Sequence, residues 1–189
     1  RQETVVRLRE LMQWFKSEFP YYYGTCQTCN GDSGHAERGD FLGHMYPTAH
    51  ERDTSSLAAR TELYACNRDT THVSRFPRYN AVNQCLETRQ GRCGEYSVLA
   101  LRILLLLNYD TRWVVDWEDH VWCEVVLTRA PGCAVIHVDP CEAAVDDPFL
   151  YQKWGKNQTF IVAFPFSADA SRGPVEDVTS MYTMDVDGV

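Results

Sequence analysis

The apolar positions of this chain fall into two periods. Over residues 5–19, Val5, Leu8, Leu11, Met12 and Phe15 recur at three- and four-residue steps, which predicts an amphipathic helix stopped by Pro20. Over residues 93–108 the stripe is broader: Tyr96, Leu99, Ala100, Ile103, Leu104 and Leu107 predict a second helix, central and buried. Between them the pattern fades. Residues 31–60 are rich in Gly, Ser, Asp, His and Arg without a sustained period and read as a long surface loop. Residues 61–65 predict a short strand ending at Cys66. Arg75 to Asn80 is expected to be extended, because Pro77 biases Phe76 away from helix, and residues 81–88 predict a short helix. After the second helix, strand-like segments follow at residues 111–115, 120–127, 134–139 and 159–164. A helix feeding several β segments through short connections predicts an α+β fold with an antiparallel sheet.

The segments at 120–127 and 134–139 form a predicted hairpin around a turn at Thr128 to Gly132. A pairing that sets His120 opposite Asp139, Trp122 opposite His137 and Glu124 opposite Val135 sorts the side chains. One face is then almost wholly apolar, and the other carries His120, Trp122, Glu124, His137 and Asp139. Direct cross-strand neighbours lie about 4.5–5.5 Å apart, so His120 and Asp139 would touch.

Composition narrows the function. Lys and Arg number 18 against 26 Asp and Glu, a formal charge of −8. That balance excludes a nonspecific nucleic-acid binder, which needs excess positive charge to displace counterions. The longest apolar run, Ile103 to Leu107, is far shorter than the roughly 20 residues that span a bilayer, so no membrane span is expected. Arg1 to Glu10 has no apolar segment of the signal-peptide kind. The Arg1 start is expected to mark a piece of a longer chain. A soluble intracellular protein is the expectation, and there disulfides are disfavoured. Eight cysteines allow four bridges by count, so their spacing must decide among bridges, a metal site and catalysis.

Cys93 opens the buried helix, where N-terminal N–H groups and a neighbouring imidazolium favour a thiolate, and Gly94 leaves room beside the sulfur. A His–Asp pair is what a general base needs, since the carboxylate fixes the imidazole tautomer and stabilises the imidazolium. Taken singly, a buried Cys is more often packing, and a His facing an Asp is more often an ordinary hydrogen-bonded pair. Cys26-x-x-Cys29 is half of a zinc site, and a structural site needs four ligands.

Several blocks in order carry a specific resemblance. They are Trp14-Phe-Lys16, Cys26-x-x-Cys29, Arg75-Phe-Pro-Arg78-Tyr-Asn80, Leu86-Glu-Thr-Arg-Gln-Gly-Arg-Cys93-Gly-Glu95, Trp117-Glu-Asp-His120-Val-Trp122-Cys-Glu124, His137-Val-Asp139-Pro-Cys141-Glu142, Trp154-Gly-Lys156, Phe160-Ile-Val-Ala-Phe164 and Val175-Glu-Asp-Val-Thr179. Over nearly its whole length the chain resembles the cytoplasmic peptide:N-glycanases of the transglutaminase-like superfamily. The resemblance implies a papain-like, transglutaminase-like core, with a nucleophile helix packed on an antiparallel sheet. It implies one catalytic domain over residues 1–189, with residues 21–74 forming a small zinc-binding subdomain inserted in it. It implies an amidase that cleaves between an Asn side chain and the first N-acetylglucosamine of an N-linked glycan. Cys93 would be the nucleophile, His120 the acid and base, and Asp139 the residue that orients His120.

By motif position, Glu142 and Trp154 would bind the innermost sugars, and Trp122 and Glu124 would line or support the cleft. The family's aromatic residue before the first Cys pair falls among Tyr21, Tyr22 and Tyr23, with Tyr22 the best match. Tyr96 stands where the family has Trp. The second zinc pair of the family reads Cys66-Asn-Arg-Asp69 here, so Zn2+ would be held by Cys26, Cys29, Cys66 and Asp69, or by His72 in place of Asp69. His35 and His44 are weaker candidates. Without metal, these thiols would be free or two of them bridged. Cys123, on the apolar face of the hairpin, is expected to be packing, and Cys85, Cys133 and Cys141 carry no expected role. The implied partners are denatured N-glycosylated proteins and ubiquitin-receptor or proteasome-linked adaptors in quality control, in the cytoplasm and also the nucleus. Two alternatives use the same fold: a thiol protease or crosslinking transglutaminase, and a non-catalytic binding module.

Overall fold

In the computed structural model, the described residues are 1–29, 38–53, 55–127, 134–166 and 174–184. Helix α1 (Gln2–Glu18) forms on the expected stripe and buries Val5, Leu8, Met12 and Phe15. The chain then divides into two compact units, Arg1–Glu18 with Tyr96–Val189, and Phe19–Glu95. The second unit runs from Phe19 to Glu95 and so extends beyond residues 21–74.

The unit Phe19–Glu95 is built on a three-stranded antiparallel sheet. Its strands are β1 (Asp40–Met45), β2 (Ala58–Ala65) and β3 (Val73–Tyr79), with helix α2 (Ala49–Arg52) between β1 and β2. This corrects the reading of residues 31–60 as loop. The side chains of β1 are mostly exposed on both faces, so its sequence carries no alternation, and its backbone ladder with β2 holds it. Helix α2 is closed by a capping box in which Thr48 Oγ1 accepts from the Glu51 N–H and Glu51 accepts from the Thr48 N–H. Pro77 sits in β3, an edge strand, where its missing N–H costs least. Tyr22, Tyr64 and Phe76 form the apolar core of this unit. Helix α3 (Val82–Thr88) ends at Arg89, whose φ of 52° is left-handed.

Helix α4 (Cys93–Leu106) starts at the end of this unit and continues into the other, where it buries Leu99, Ala100, Leu101 and Leu104. The rest of that unit is a six-stranded antiparallel sheet. It comprises β4 (Asp110–Asp116), β5 (His120–Val126), β6 (Val135–Asp139), β7 (Ala144–Val145), β8 (Ile161–Phe166) and β9 (Glu176–Asp177), in the order β7-β6-β5-β4-β8-β9. Two short helices, α5 (Leu150–Lys153) and α6 (Thr179–Tyr182), complete it. The chain is therefore α+β with antiparallel sheets, as expected. One sheet face meets α4: the Trp113 indole N–H donates to Ser97 Oγ at 2.9 Å, and the Cys123 thiol donates to the Ser97 carbonyl at 3.2 Å. Helix α1 packs on β6 and β7, and Phe15 meets Tyr96 edge-on at 5.7 Å.

The hairpin register differs from the expected one by two residues. Cys123 pairs with Val138, Glu124 with His137, Val125 with Ile136 and Val126 with Val135. The ladder closes where the Leu127 N–H donates to the Ala134 carbonyl at 2.8 Å, so the connection is longer than Thr128 to Gly132. The connection itself, with Cys133, lies outside the described residues. A shift of two leaves every side chain on its expected face, because strand side chains alternate with period two. The face expected to be polar is nevertheless buried. Val114, Trp122, Ile161 and Ala163 pack there beneath Tyr151 of α5 and Tyr182 of α6.

Candidate active site and metal centre

His120 opens β5, directly after the turn that links it to β4, and Asp139 closes β6. In the observed register they are diagonal rather than direct neighbours. A diagonal pair is still within reach of long side chains. The His120 Nε2 to Asp139 Oδ2 distance is 2.8 Å. Donation from Nε2 leaves Nδ1 as the basic ring nitrogen. Asp139 is fully buried, and its Oδ1 accepts the backbone N–H groups of Cys141 at 2.8 Å and Glu142 at 3.2 Å. The Tyr151 hydroxyl donates to Oδ2 at 2.9 Å. Burial alone would raise the Asp139 pKa, but the bond from His120, the nearby imidazole charges and the Tyr151 hydroxyl together hold it below the ordinary carboxylate value.

Of the residues expected to meet substrate, Trp154 and Glu142 are accessible. Trp154 is 55% exposed at the end of α5 and stands edge-on to Tyr151 at 5.5 Å. Glu142 follows Asp139 closely and faces Lys16 Nζ at 3.7 Å. Trp122 and Glu124 are different: both are fully buried. Trp122 lies under Tyr151 and Tyr182, with ring centroids 4.6 and 4.8 Å away. Glu124 is held by Arg112 Nε at 2.6 Å and by the Tyr182 hydroxyl at 2.6 Å. Burial raises the Glu124 pKa despite Arg112. These two residues support the sheet from within and do not line a cleft. The sequence hid this because Tyr151 and Tyr182 arrive on four-residue helices too short to leave a period.

Cys93 is half-buried at the first position of α4 and belongs to the other unit. The helix start is braced by ion pairs that the sequence reading did not anticipate. The Arg92 N–H donates to Glu95 Oε2 at 3.0 Å. Arg78 grips Glu95 through Nε at 2.6 Å and Nη2 at 3.0 Å, and reaches Glu62 Oε1 through Nη1 at 2.8 Å. Burial opposes the Arg78 charge, but Glu95 and Glu62 more than offset it and raise its pKa. Tyr22 was the best match for an aromatic near the nucleophile, yet it is buried against Tyr64 and Phe76, and burial pushes its pKa up to about 12. Its neighbours face the other way. Tyr21 and Tyr23, with Arg38, Gly39 and Arg92, line a recess of about 320 Å3.

The cysteine cluster lies wholly within the unit Phe19–Glu95. The ligand atoms of Cys26, Cys29, Cys66 and His72 all fall within 4.8 Å of one another, an arrangement that could hold a metal ion. His72 Nδ1 faces Cys29 Sγ at 3.2 Å and Cys26 Sγ at 4.0 Å, and the Cys66 and Cys29 sulfurs are 3.6 Å apart. The fourth position is therefore that of His72. Asp69 stands behind it, with Oδ2 3.5 Å from His72 Nε2, and its Oδ1 accepts the Thr71 hydroxyl at 2.6 Å and the Thr71 N–H at 2.9 Å. A carboxylate on the far ring nitrogen fixes the tautomer of a metal-binding histidine. The sulfurs compete for protons: backbone N–H donation from Cys29 lowers the Cys26 pKa, while hydrogen bonding to Cys66 raises that of Cys29. His44 is in β1, edge-on to Phe41 at 5.1 Å, and is not part of the cluster. His35 lies outside the described residues. The seven described cysteines are all free thiols. No helix among the described residues is long and apolar enough to cross a membrane.

Residues 46–140, half of the chain, match the family model of the transglutaminase-like superfamily. Several curated relatives carry the name peptide-N(4)-(N-acetyl-beta-glucosaminyl)asparagine amidase. The chain is 36% identical to the Gallus gallus protein over 93% of its own length and 25% of the relative's. It is 36% identical to the Yarrowia lipolytica protein over 95% and 47%, and 34% identical to the Saccharomyces cerevisiae protein over 94% and 46%. The chain thus spans between a quarter and about half the length of these relatives.

Proposed function

The chain belongs to the transglutaminase-like superfamily, and from that membership we propose that it carries the catalytic domain of an amidase releasing N-linked glycans from protein. The observation that carries this reading is the His120–Asp139 pair at 2.8 Å, in a chain that also opens its central helix with Cys93. The Cys93 thiolate adds to the side-chain amide carbon of a glycosylated Asn, and its backbone N–H is one donor for the developing oxyanion. The carbon–nitrogen bond breaks as His120 Nδ1 gives its proton to the departing glycosylamine nitrogen. Water, deprotonated by the same nitrogen, then cleaves the thioester, leaving Asp and restoring the thiol. Asp139 keeps Nε2 protonated so that Nδ1 does this work. The exposed indole of Trp154 offers an apolar face to a pyranose ring, and Glu142 accepts hydrogen bonds from its hydroxyls.

The Cys3His donor set suits zinc, which takes soft thiolates and imidazole in a tetrahedral array. Four protein ligands leave no open position, so the ion's contribution is structural: it ties Cys26–Cys29 to the loop between β2 and β3. A reducing compartment, cytoplasm or nucleus, keeps these thiols unbridged. The test is incubation with a heat-denatured N-glycoprotein. Intact glycan and an Asp at the former site are the expected products. A folded, metal-loaded preparation that releases none overturns the reading.

A further inference from the structure

The mechanism above uses one face of Asp139 and leaves a second hydrogen-bond chain on that carboxylate unused. Asp139 Oδ2 takes two donors, His120 Nε2 at 2.8 Å and the Tyr151 hydroxyl at 2.9 Å. The Tyr151 oxygen in turn lies 2.7 Å from His137 Nε2. His137, Tyr151 and Asp139 are all buried.

Proton placement follows from counting. A carboxylate held ionised has no proton to give, so the single phenolic proton of Tyr151 must point at Asp139. The phenolic oxygen is then an acceptor, and His137 must donate to it from Nε2. That fixes His137 as the neutral Nε2–H tautomer. Its Nδ1 is buried and has no hydrogen-bond partner among the described residues, as a bare lone pair would be. Burial pushes the His137 pKa down to about 4, which keeps it neutral at neutral pH.

We propose that Tyr151, polarised by His137, is a positioning residue that shares Asp139 Oδ2 with His120 and so limits how tightly Asp139 holds the His120 imidazolium. The proposal rests on reading His120 as the acid and base. Two donors on one carboxylate oxygen compete for its charge. Without the tyrosine hydroxyl, Asp139 Oδ2 turns more of its charge on His120, and the imidazolium becomes harder to deprotonate. A base that must take a proton from water and also give one away is slowed by too strong a partner. Tyr151 also fixes the ring geometrically, lying edge-on to His120 at 4.9 Å and tilted against Trp122 at 4.6 Å.

Other titratable groups face this chain from each packed element. Cys141 and Tyr182 act on Tyr151, and Asp146 and Asp147 act on His137. Asp116, paired with His120 in the ladder, has its carboxylate engaged by Lys156 Nζ at 2.9 Å. None of these shares an oxygen with His120, as Tyr151 does.

The test is the NMR titration of His120 in the full chain with Cys93→Ala, so that the thiol is absent, with Tyr151 intact or changed to Phe. Tyr151→Phe keeps the ring and removes only the hydroxyl. The His120 resonance is identified by its loss in His120→Gln. The expected result is an upward shift of the His120 midpoint by about half a unit or more in Tyr151→Phe. His137→Leu, which removes the donor to Tyr151, is expected to shift it the same way by less, and His137→Gln, which keeps a donor, to restore it. An unchanged or lowered midpoint in Tyr151→Phe overturns the proposal. A merely structural tyrosine would change the melting temperature and leave the midpoint in place. The titration needs no substrate, so the shift can stand even if no glycan is released, and glycan release can stand without the shift.

Discussion

Two polar clusters, one in each unit, solve the same problem in opposite ways. In the six-stranded sheet, His137 donates to Tyr151, and Tyr151 and His120 both donate to Asp139, so each of these donors meets an acceptor. Beside them, Glu124 is closed by Arg112 and Tyr182. In the unit Phe19–Glu95, three sulfurs and an imidazole crowd within 4.8 Å of one another. In the first cluster the named donors are matched within the protein, and among the described residues only the His137 Nδ1 lone pair is left over. The second is one that a bound cation would complete, by replacing the competing protons. The contrast explains why the first can be buried in a sheet core, while the second sits on turns that need tying together.

Removing the metal should give the largest effect. Cys66→Ser, or a strong chelator, is expected to lose about one zinc per chain by elemental analysis. The unit Phe19–Glu95 should then unfold, since structural zinc sites contribute on the order of 10 kcal/mol. Limited proteolysis within residues 19–95 reads this, and an apo chain as resistant as the loaded one would erase the contrast. Next is Arg112→Met. It leaves the buried Glu124 without its cation, at a cost of about 3–5 kcal/mol in chemical denaturation. Adding Glu124→Leu should recover much of that loss; no recovery would mean that packing, not charge, was broken.

The smallest effect is a pH dependence. His137 titrates at about 4 when folded and near 6.5 when unfolded. Between those values the unfolded chain binds a proton that the folded chain does not. Stability is full above about 6.5, falls as the pH drops toward 4, and levels below it, with a loss of about 3 kcal/mol in total. The difference between wild type and His137→Gln across that window isolates the contribution, and equal pH slopes would remove it.

Much of both clusters was legible in the sequence, for reasons that also mark where legibility ends. Period-two alternation put His120, Trp122, Glu124, His137 and Asp139 on one face, and that assignment survives a register shift of two. The shift itself was invisible, because residue types do not reveal how long a connection is. The apolar stripes of α1 and α4 were plain. Strand β1 was not, since Asp40–Met45 shows side chains to solvent on both faces. Spacing offered both Asp69 and His72 as the fourth ligand. Only the path of the turn decides, bringing the Cys66 N–H to the His72 carbonyl at 3.0 Å and so swinging the imidazole onto the sulfurs. Tyr22 and its two neighbours could not be told apart until β2 and β3 supplied Tyr64 and Phe76 as its core.

The central claim is that Cys93 is the nucleophile of a glycan-releasing reaction. Its most direct test compares wild type with Cys93→Ala on one denatured N-glycoprotein, with glycan release and conversion of Asn to Asp read by mass spectrometry. Wild type should release intact glycan and leave Asp, while Cys93→Ala, folded and carrying the same metal content, should release none. Full release by Cys93→Ala would contradict the account.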